Sequence, residues 1–251
     1  MLNRPLLKTN AKMLMRSAGF KIFWYTLFFI IVSTAADYVV QFRLPNVYTY
    51  IMAGDVEALV NYIENAGDSV RLLLLAAAVV LVYNIFVAII GVGYKRTCLM
   101  VAREEKPVFR DMFETFGYWV KIICLRVVVA VVTGLATLCF IVPGVILSFA
   151  YSQVDFILID NPDMGIIEIM RRSRKMMQGH KLEYFVFQLS YILWYLLTAL
   201  FAVAYIYVMP YITVGDALYY EHICGYRNFS ERKSADTTES DSPTESDTTN
   251  E

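Results

Sequence analysis

Long apolar segments, separated by short polar ones, make up most of this chain. Six of them come close to the roughly 20 apolar residues that an α-helix needs to cross a bilayer. These segments run from about Phe20 to Val40, Leu72 to Tyr94, Tyr118 to Val142, Gly144 to Ile159, Tyr184 to Val203 and Tyr205 to Cys224. The pattern predicts an all-α, polytopic helical membrane protein with about six transmembrane helices and amphipathic helices at the cytoplasmic interface.

The positions of the basic residues predict how these helices are oriented. All but three of the 22 Lys and Arg residues fall into four clusters, within residues 4–21, 95–121, 171–181 and 227–233. The exceptions are Arg43, Arg71 and Arg126. Each interval between clusters is long enough to cross a bilayer and return, so the positive-inside rule places both termini in the cytoplasm. The predicted location is therefore the cytoplasmic membrane.

The same pattern divides the chain into three parts. They are a cytoplasmic interfacial helix, a six-helix membrane domain and an acidic cytoplasmic tail, at residues 1–19, 20–225 and 226–251. The tail has too few apolar residues to fold alone and is predicted to be disordered. The membrane domain has an external loop at 43–70, with a short helix around 55–65, and cytoplasmic segments at 95–117 and 160–182.

Two of the spans are expected to form a tight hairpin. Pro143 and Gly144 interrupt the apolar run between the third and fourth spans, and no charged residue separates the two. Small residues recur every four positions on both predicted helices, as they do where membrane helices pack closely. These residues are Ala130, Gly134, Gly144, Ser148 and Ser152.

A basic amphipathic helix is predicted between the fourth and fifth spans. Asn161 is expected to be its N-cap and Pro162 its first residue, and Gly179 is placed to end it after about Gln178. One face carries isoleucines and methionines, which are expected to face the acyl chains. The other face carries four basic residues, Arg171, Arg172, Arg174 and Lys175. They are candidate contacts for anionic lipid, although the same charges would also be needed to determine topology.

Two further cytoplasmic segments are expected to be helical. Residues 5–18 place leucine and methionine on one face and lysine and arginine on the other, which is typical of a helix in the interface plane. Pro107 is expected to open another, which would place four residues on one side: Phe109, Met112, Phe113 and Phe116.

Polar residues inside the spans are the candidate path or site residues, because burying them in lipid is costly. In a hairpin folded at Pro143, Arg126 comes level with Asp160 and can also extend towards Asp155. The pairing is consistent either with an ion or substrate path or with a structural lock between helices.

Other intramembrane polar residues leave the same alternatives open. Asn84 lies in the middle of the second span, and Asp216 lies in a last span that Pro210 is expected to break. Discontinuous helices are typical of transporters, but an ordinary proline kink fits the sequence as well.

Composition excludes several classes of function. The net charge is −1, which does not favour nucleic acid as a partner. The four cysteines and two histidines do not have metal-ligand spacing, and no phosphate-binding loop or catalytic motif is present. We therefore expect no cofactor, no bound metal and no enzymatic activity.

An ordered set of residues also resembles a known family. It begins with Phe113, Phe116, Tyr118 and Lys121 and continues through Pro143-Gly144, Tyr151, Asp160-Asn161-Pro162, Ser173, Met177, Gly179-His180-Lys181, Trp194, Pro210-Tyr211 and Tyr219 or Tyr220. Over roughly residues 90–225, the chain resembles the bacterial multi-pass membrane proteins catalogued as domain of unknown function 975. The resemblance implies a membrane fold and no particular reaction.

The sequence thus favours a non-enzymatic membrane protein that binds lipid or an amphiphile, acting as an envelope accessory or scaffold. Its expected partners are the lipid bilayer, anionic lipids, and either another membrane protein or a second copy of the chain. The alternative is a small transporter or channel whose path runs near Arg126, Asp155 and the Pro210 helix.

Overall fold

The computed structural model describes residues 4–43, 53–64 and 69–225. Within these ranges all regular secondary structure is helical, with eleven α-helices, three short 3-10 helices and no strand. The α-helices are α1 (Arg4–Ser17), α2 (Lys21–Arg43), α3 (Val56–Glu64), α4 (Ser69–Ala102), α5 (Trp119–Cys139), α6 (Ile141–Ala150), α7 (Val154–Asp160), α8 (Ile166–Met176), α9 (Lys181–Leu189), α10 (Ile192–Leu200) and α11 (Tyr205–Cys224). The acidic tail lies outside the described residues.

All six predicted apolar segments are helical, but fewer than six qualify as membrane spans. Three described segments are long and apolar enough to cross a bilayer: Ala77–Ala102, Phe109–Cys139 and Lys181–Leu200. A fourth exists if α1 and α2, which meet at 96°, are taken together.

The prediction of six spans was therefore too high, for two physical reasons. The fourth predicted span is divided between α6 and α7, which have only 10 and 7 residues. The 20 residues of α11 could cross, but five tyrosines and two carboxylates make this helix much less apolar than α4 or α5.

The buried core lies towards one end of the bundle. Its largest fully buried side chains include Tyr94, Phe156, Phe187 and Tyr219, from α4, α7, α9 and α11. By contrast, apolar side chains at the opposite end of the bundle, near the C-terminal ends of α5 and α10, are exposed. Leu138 is 84 % exposed and Leu200 is 74 % exposed. Because soluble proteins rarely expose so many large apolar side chains together, this surface is suited to lipid.

The amphipathic helix α1 packs on the protein itself. Leu7, Ala11 and Leu14 are at most 4 % exposed, and α1 contacts α11 and α4. Lys8 strengthens this docking, since its Nζ donates a hydrogen bond to the carbonyl oxygen of Ser190 over 2.9 Å. The predicted helix is present, but its apolar face is buried against the bundle instead of lying in the leaflet.

The segment after Pro107 also differs from its prediction. It forms two 3-10 helices, Phe109–Met112 and Glu114–Tyr118, where an α-helix was expected. The first packs tightly on α4, because a Cβ added at Gly93 would overlap the carbonyl oxygen of Met112. Phenylalanine rings join it to α2, with the centroids of Phe28 and Phe109 5.1 Å apart.

The tight hairpin between α5 and α6 is present, but it turns three residues before the predicted break. Phe140 is in an extended conformation, with φ −157° and ψ 137°, and α6 begins at Ile141. Pro143 lies in the first turn of α6, where a missing backbone N–H costs nothing. A Cβ at Gly144 would come within 2.8 Å of the Thr137 Cα, whereas a Cβ at Gly134 meets nothing within 4 Å. The close approach therefore depends on Gly144 and not on Gly134.

The two glycines allow one substitution to be compared at two sites. Gly144→Ala should lower stability by about 1–3 kcal/mol, because the added methyl group overlaps Thr137 in a packed interface. Gly134→Ala should be neutral or stabilise the helix by up to about 1 kcal/mol. Thermal unfolding of the detergent-solubilised protein measures both, and equal effects at the two sites would contradict the packing described here.

Candidate functional site

Two clusters of charged side chains join the helices at the core end of the bundle. The first surrounds Asp155, which lies in the first turn of α7 and is only 4 % exposed. Its Oδ2 atom accepts hydrogen bonds from Lys95 Nζ at 2.7 Å and from Arg126 Nη2 at 2.8 Å. One buried carboxylate thus connects α4, α5 and α7.

The predicted contact between Arg126 and Asp155 is present, but the third member of this cluster was not predicted. Lys95 belongs to a basic cluster that we interpreted only as a topology signal. Its spacing within α4 gave no indication of a partner about 60 residues further along the chain. The second cation changes the chemistry, because Asp155 keeps a counter-charge when either basic residue is removed.

The second cluster surrounds Arg103, which directly follows α4. Arg103 Nη2 lies 2.8 Å from Asp160 Oδ2 and 2.7 Å from Glu221 Oε1, and its Nε also donates to Glu221. Tyr220 donates a hydrogen bond to the same Asp160 oxygen over 2.8 Å. Burial alone would lower the pKa of the Arg103 guanidinium, but hydrogen bonds to the two carboxylates hold this pKa above its usual range. Arg103 therefore stays charged and joins the ends of α4, α7 and α11.

Asp160 was predicted as a partner of Arg126, and the structure corrects this pairing. The C-terminal end of α7 turns the Asp160 carboxylate towards Arg103. Arg126 is already engaged five residues earlier, at Asp155. The predicted alignment of the two hairpin helices was nearly correct. Asp160 was assigned the wrong partner because the prediction did not consider basic residues at the end of α4.

Two other candidate residues lie in different surroundings. Asn84 is exposed on α4, and its side-chain amide donates to the Val80 carbonyl of the same helix over 2.8 Å. It therefore bonds to its own backbone and not to another helix. Asp216 Oδ1 accepts from Gln188 Nε2 at 2.7 Å and from Tyr184 Oη at 3.3 Å, which ties α11 to α9.

The last helix is continuous through its proline. Pro210 is the sixth residue of α11, which runs unbroken from Tyr205 to Cys224. The predicted break at Pro210 is wrong, because the helix continues through the proline although its missing N–H removes one hydrogen bond within the helix. The discontinuous helix that favoured a transporter is therefore absent from α11.

The basic helix α8 begins later than predicted and packs differently. Asn161 follows the end of α7 instead of capping α8, which starts at Ile166. Ile169 and Met170 are buried in the bundle, and Ser173 Oγ donates to the Ala150 carbonyl over 2.8 Å. The predicted contact of this face with acyl chains was thus largely wrong. The basic side chains are all exposed: Arg171, Arg172, Arg174 and Lys175.

Metal ligation can be assessed within the described ranges only. There, no three side chains of His, Cys, Asp or Glu lie close enough together to hold an ion. The four cysteines are free thiols. The arrangement of charges in both clusters is that of ion pairs between helices.

The Asp155 cluster predicts a non-additive response to mutation. Lys95→Met or Arg126→Met alone should cost about 1 kcal/mol or less, since the carboxylate keeps one cation. The double variant should cost several kcal/mol, because a buried carboxylate is then left without a counter-charge. A double-mutant cycle on thermal unfolding measures this coupling, and strictly additive losses would show that the two cations do not share Asp155.

Comparison with known proteins gives a family match over part of the chain but does not indicate an activity. Residues 127–227 match a family model described as Protein of unknown function (DUF975). No curated protein and no solved structure matches the chain. The matched segment begins within α5 and contains the rest of the hairpin, α8 and α11, whereas Phe113, Phe116, Tyr118 and Lys121 precede it. The comparison therefore shows that residues 127–227 are similar to the DUF975 family of proteins of unknown function.

Proposed function

We propose that this chain is a non-enzymatic integral membrane protein that binds anionic lipid at the cytoplasmic leaflet and serves as an envelope accessory or scaffold. The observation that carries the proposal is the presentation of α8. Its apolar face is fixed in the bundle by Ile169, Met170 and Ser173, and its four basic side chains face outwards. A rigid helix that presents four cations on one surface is suited to phosphate headgroups.

The surroundings of α8 support a position at the membrane surface. The Lys121 ammonium group donates a hydrogen bond to the Pro162 carbonyl, just before α8, and therefore brings the second basic cluster beside the third. Arg103 connects the same end of the bundle to α11. Basic residues from segments far apart in sequence thus meet at one end, as expected for the cytoplasmic side of a membrane protein.

The alternative, a small transporter or channel near Arg126, Asp155 and Pro210, has less support. Asp155 is neutralised by two cations at 2.7 and 2.8 Å, which is the geometry of a structural lock. The continuity of α11 removes the other feature in its favour.

Topology can be tested by labelling single cysteines in a variant in which the four native cysteines are replaced by serine. Val60→Cys, in α3, should react with an impermeant maleimide in intact cells. Gln178→Cys, just after α8, and Ser240→Cys, in the tail, should react only after lysis, since the basic clusters are expected to remain in the cytoplasm. Labelling of position 178 from outside would contradict the proposed orientation.

Lipid binding can be tested with two matched pairs of substitutions. Arg171→Gln with Lys175→Gln removes two cations four residues apart on α8, and Lys12→Gln with Arg16→Gln does the same on α1. Each basic residue near an anionic surface contributes about 1 kcal/mol, so the α8 pair should weaken phosphatidylglycerol binding about tenfold or more. Native mass spectrometry of the purified full chain measures the bound lipid.

Comparing the two pairs distinguishes a defined lipid site on α8 from general electrostatic attraction between the basic residues and anionic lipid. The α1 pair should reduce phosphatidylglycerol adducts much less, and added salt should weaken binding to the unmodified protein through screening. Equal losses in the two pairs would refute a lipid site on α8, as would equal retention of phosphatidylglycerol and phosphatidylcholine by the unmodified protein.

A further inference from the structure

The helix α8 is held beside the end of α11. Tyr220, near the end of α11, donates a hydrogen bond over 2.8 Å to Asp160, which lies six residues before α8 begins. Tyr219 donates over 3.2 Å to the carbonyl oxygen of His180, which lies four residues after α8 ends. Two adjacent tyrosines of α11 therefore hold the chain on both sides of α8.

The chain leaves α11 next to the basic side chains of α8. The guanidinium group of Arg172 is close enough to the thiol of Cys224, the last residue of α11, to act on it electrostatically. The acidic tail follows directly. A connection of ten residues, 226–235, reaches at most about 33–36 Å, whereas the stretch from Arg171 to Lys175 is only about 6 Å long. Residues from 236 onwards can thus reach every basic side chain of α8.

The basic face of α8 carries a dense positive charge that no carboxylate neutralises within the described part of the chain. Its four side chains are exposed, and none forms an ion pair there: Arg171, Arg172, Arg174 and Lys175. Glu168 is the one acidic residue of α8, so four cations and one carboxylate give the helix a formal charge of +3. Such a surface attracts an acidic segment.

The tail supplies the opposite charge at a suitable distance from α11. Residues 234–251 contain six carboxylates and no lysine or arginine. These carboxylates are Asp236, Glu239, Asp241, Glu245, Asp247 and Glu251. The basic residues of the tail all lie before this stretch, at positions 227, 232 and 233.

Helix α1 is a poorer partner for this acidic stretch. Its four basic residues are spread over positions 4–16, whereas those of α8 lie within 171–175. One of them, Lys8, already donates a hydrogen bond to the carbonyl oxygen of Ser190. Charge density therefore favours α8 as the surface on which the acidic stretch docks.

We propose that residues 236–251 dock on the basic face of α8 in the same molecule and compete there with anionic lipid. Each exposed ion pair is weak, but the covalent connection keeps the carboxylates at a high effective concentration beside α8. The docked segment would neutralise the charge that attracts lipid headgroups, so lipid has to displace it. The docking stands by itself, whereas the competition rests on the proposed function.

The docking can be tested on the purified full chain with a carbodiimide, which joins a lysine amine to a neighbouring carboxylate as an amide. Trypsin then cuts after Lys233 and leaves all six carboxylates on one peptide. This peptide should couple to Lys175 at least about fivefold more than to Lys12, which is exposed on α1. Salt at about 1 M, where the Debye length is about 3 Å, should reduce the Lys175 product.

Two results of the coupling experiment would overturn the docking. One is equal coupling of the peptide to Lys12 and Lys175. The other is a product that forms mainly between two copies of the chain, which mixing isotope-labelled with unlabelled protein reveals.

The competition can be tested with two matched pairs of substitutions, again by native mass spectrometry of the full chain. The tail pair, Glu239→Gln with Asp241→Asn, weakens docking and should raise phosphatidylglycerol adducts about threefold to tenfold. The control pair, Asp55→Asn with Glu57→Gln, removes the same charge at the start of α3 and should leave the adducts unchanged. Equal rises in the two pairs would contradict competition and indicate an effect of net charge alone.

A double-mutant cycle shows whether the tail pair acts through α8. In a protein that also carries Arg171→Gln and Lys175→Gln, the rise caused by the tail pair should disappear. A rise that persists there would overturn the assignment of α8 as the docking surface.

The docking and the proposed function can fail separately. If Lys175 couples to the tail but the Arg171→Gln and Lys175→Gln pair does not weaken phosphatidylglycerol binding, the docking stands and the lipid site on α8 is wrong. If that pair weakens binding but Lys175 does not couple preferentially, the lipid site stands and the docking is wrong.

Discussion

The architecture depends on one guanidinium group that serves two carboxylates. Arg103 lies directly after α4 and contacts Asp160 at the end of α7 and Glu221 in the last turn of α11. These three elements are far apart in sequence, and two further polar contacts join them: Lys95 on α4 pairs with Asp155 on α7, and Tyr220 on α11 donates to Asp160. A guanidinium can reach both carboxylates because its donors form a planar fork, whereas an ammonium is a single point charge. The position of the α7 end, in turn, determines where α8 leaves the bundle.

Both charged clusters lie at the end of the bundle where the basic segments meet. Buried ion pairs are costly to form, because desolvation offsets much of the attraction between the charges. Here Lys95, Arg103 and Arg126 remain 31–46 % exposed while their carboxylates are nearly buried, so each cation retains part of its solvation. At the opposite end, Leu138, Leu200 and Val203 are open and apolar. The clusters can therefore hold the helices together without placing an unpaired charge in lipid.

The sequence predicted helices well and their interruptions poorly. A periodic apolar pattern is a local property, so all six segments and the short helix Val56–Glu64 could be located from it. The breaks at 151–153 and 190–191 follow from tertiary packing, for example from Ser173 reaching the Ala150 carbonyl, and no local signal marks them. The missed break at 151–153 removes the fourth predicted span, whereas the break at 190–191 leaves Lys181–Leu200 long enough to cross a bilayer.

The same distinction applies to the site residues. Arg126 and Asp155 could be paired from the sequence because a hairpin relates positions by simple counting from its turn. The partners of Lys95 and Arg103 could not be predicted in this way. They lie on helices that do not form a hairpin with α4, so counting residues from a turn does not show which positions meet. A charge near the end of a span has two roles that look alike in sequence: it can orient the helix in the membrane or bind another helix.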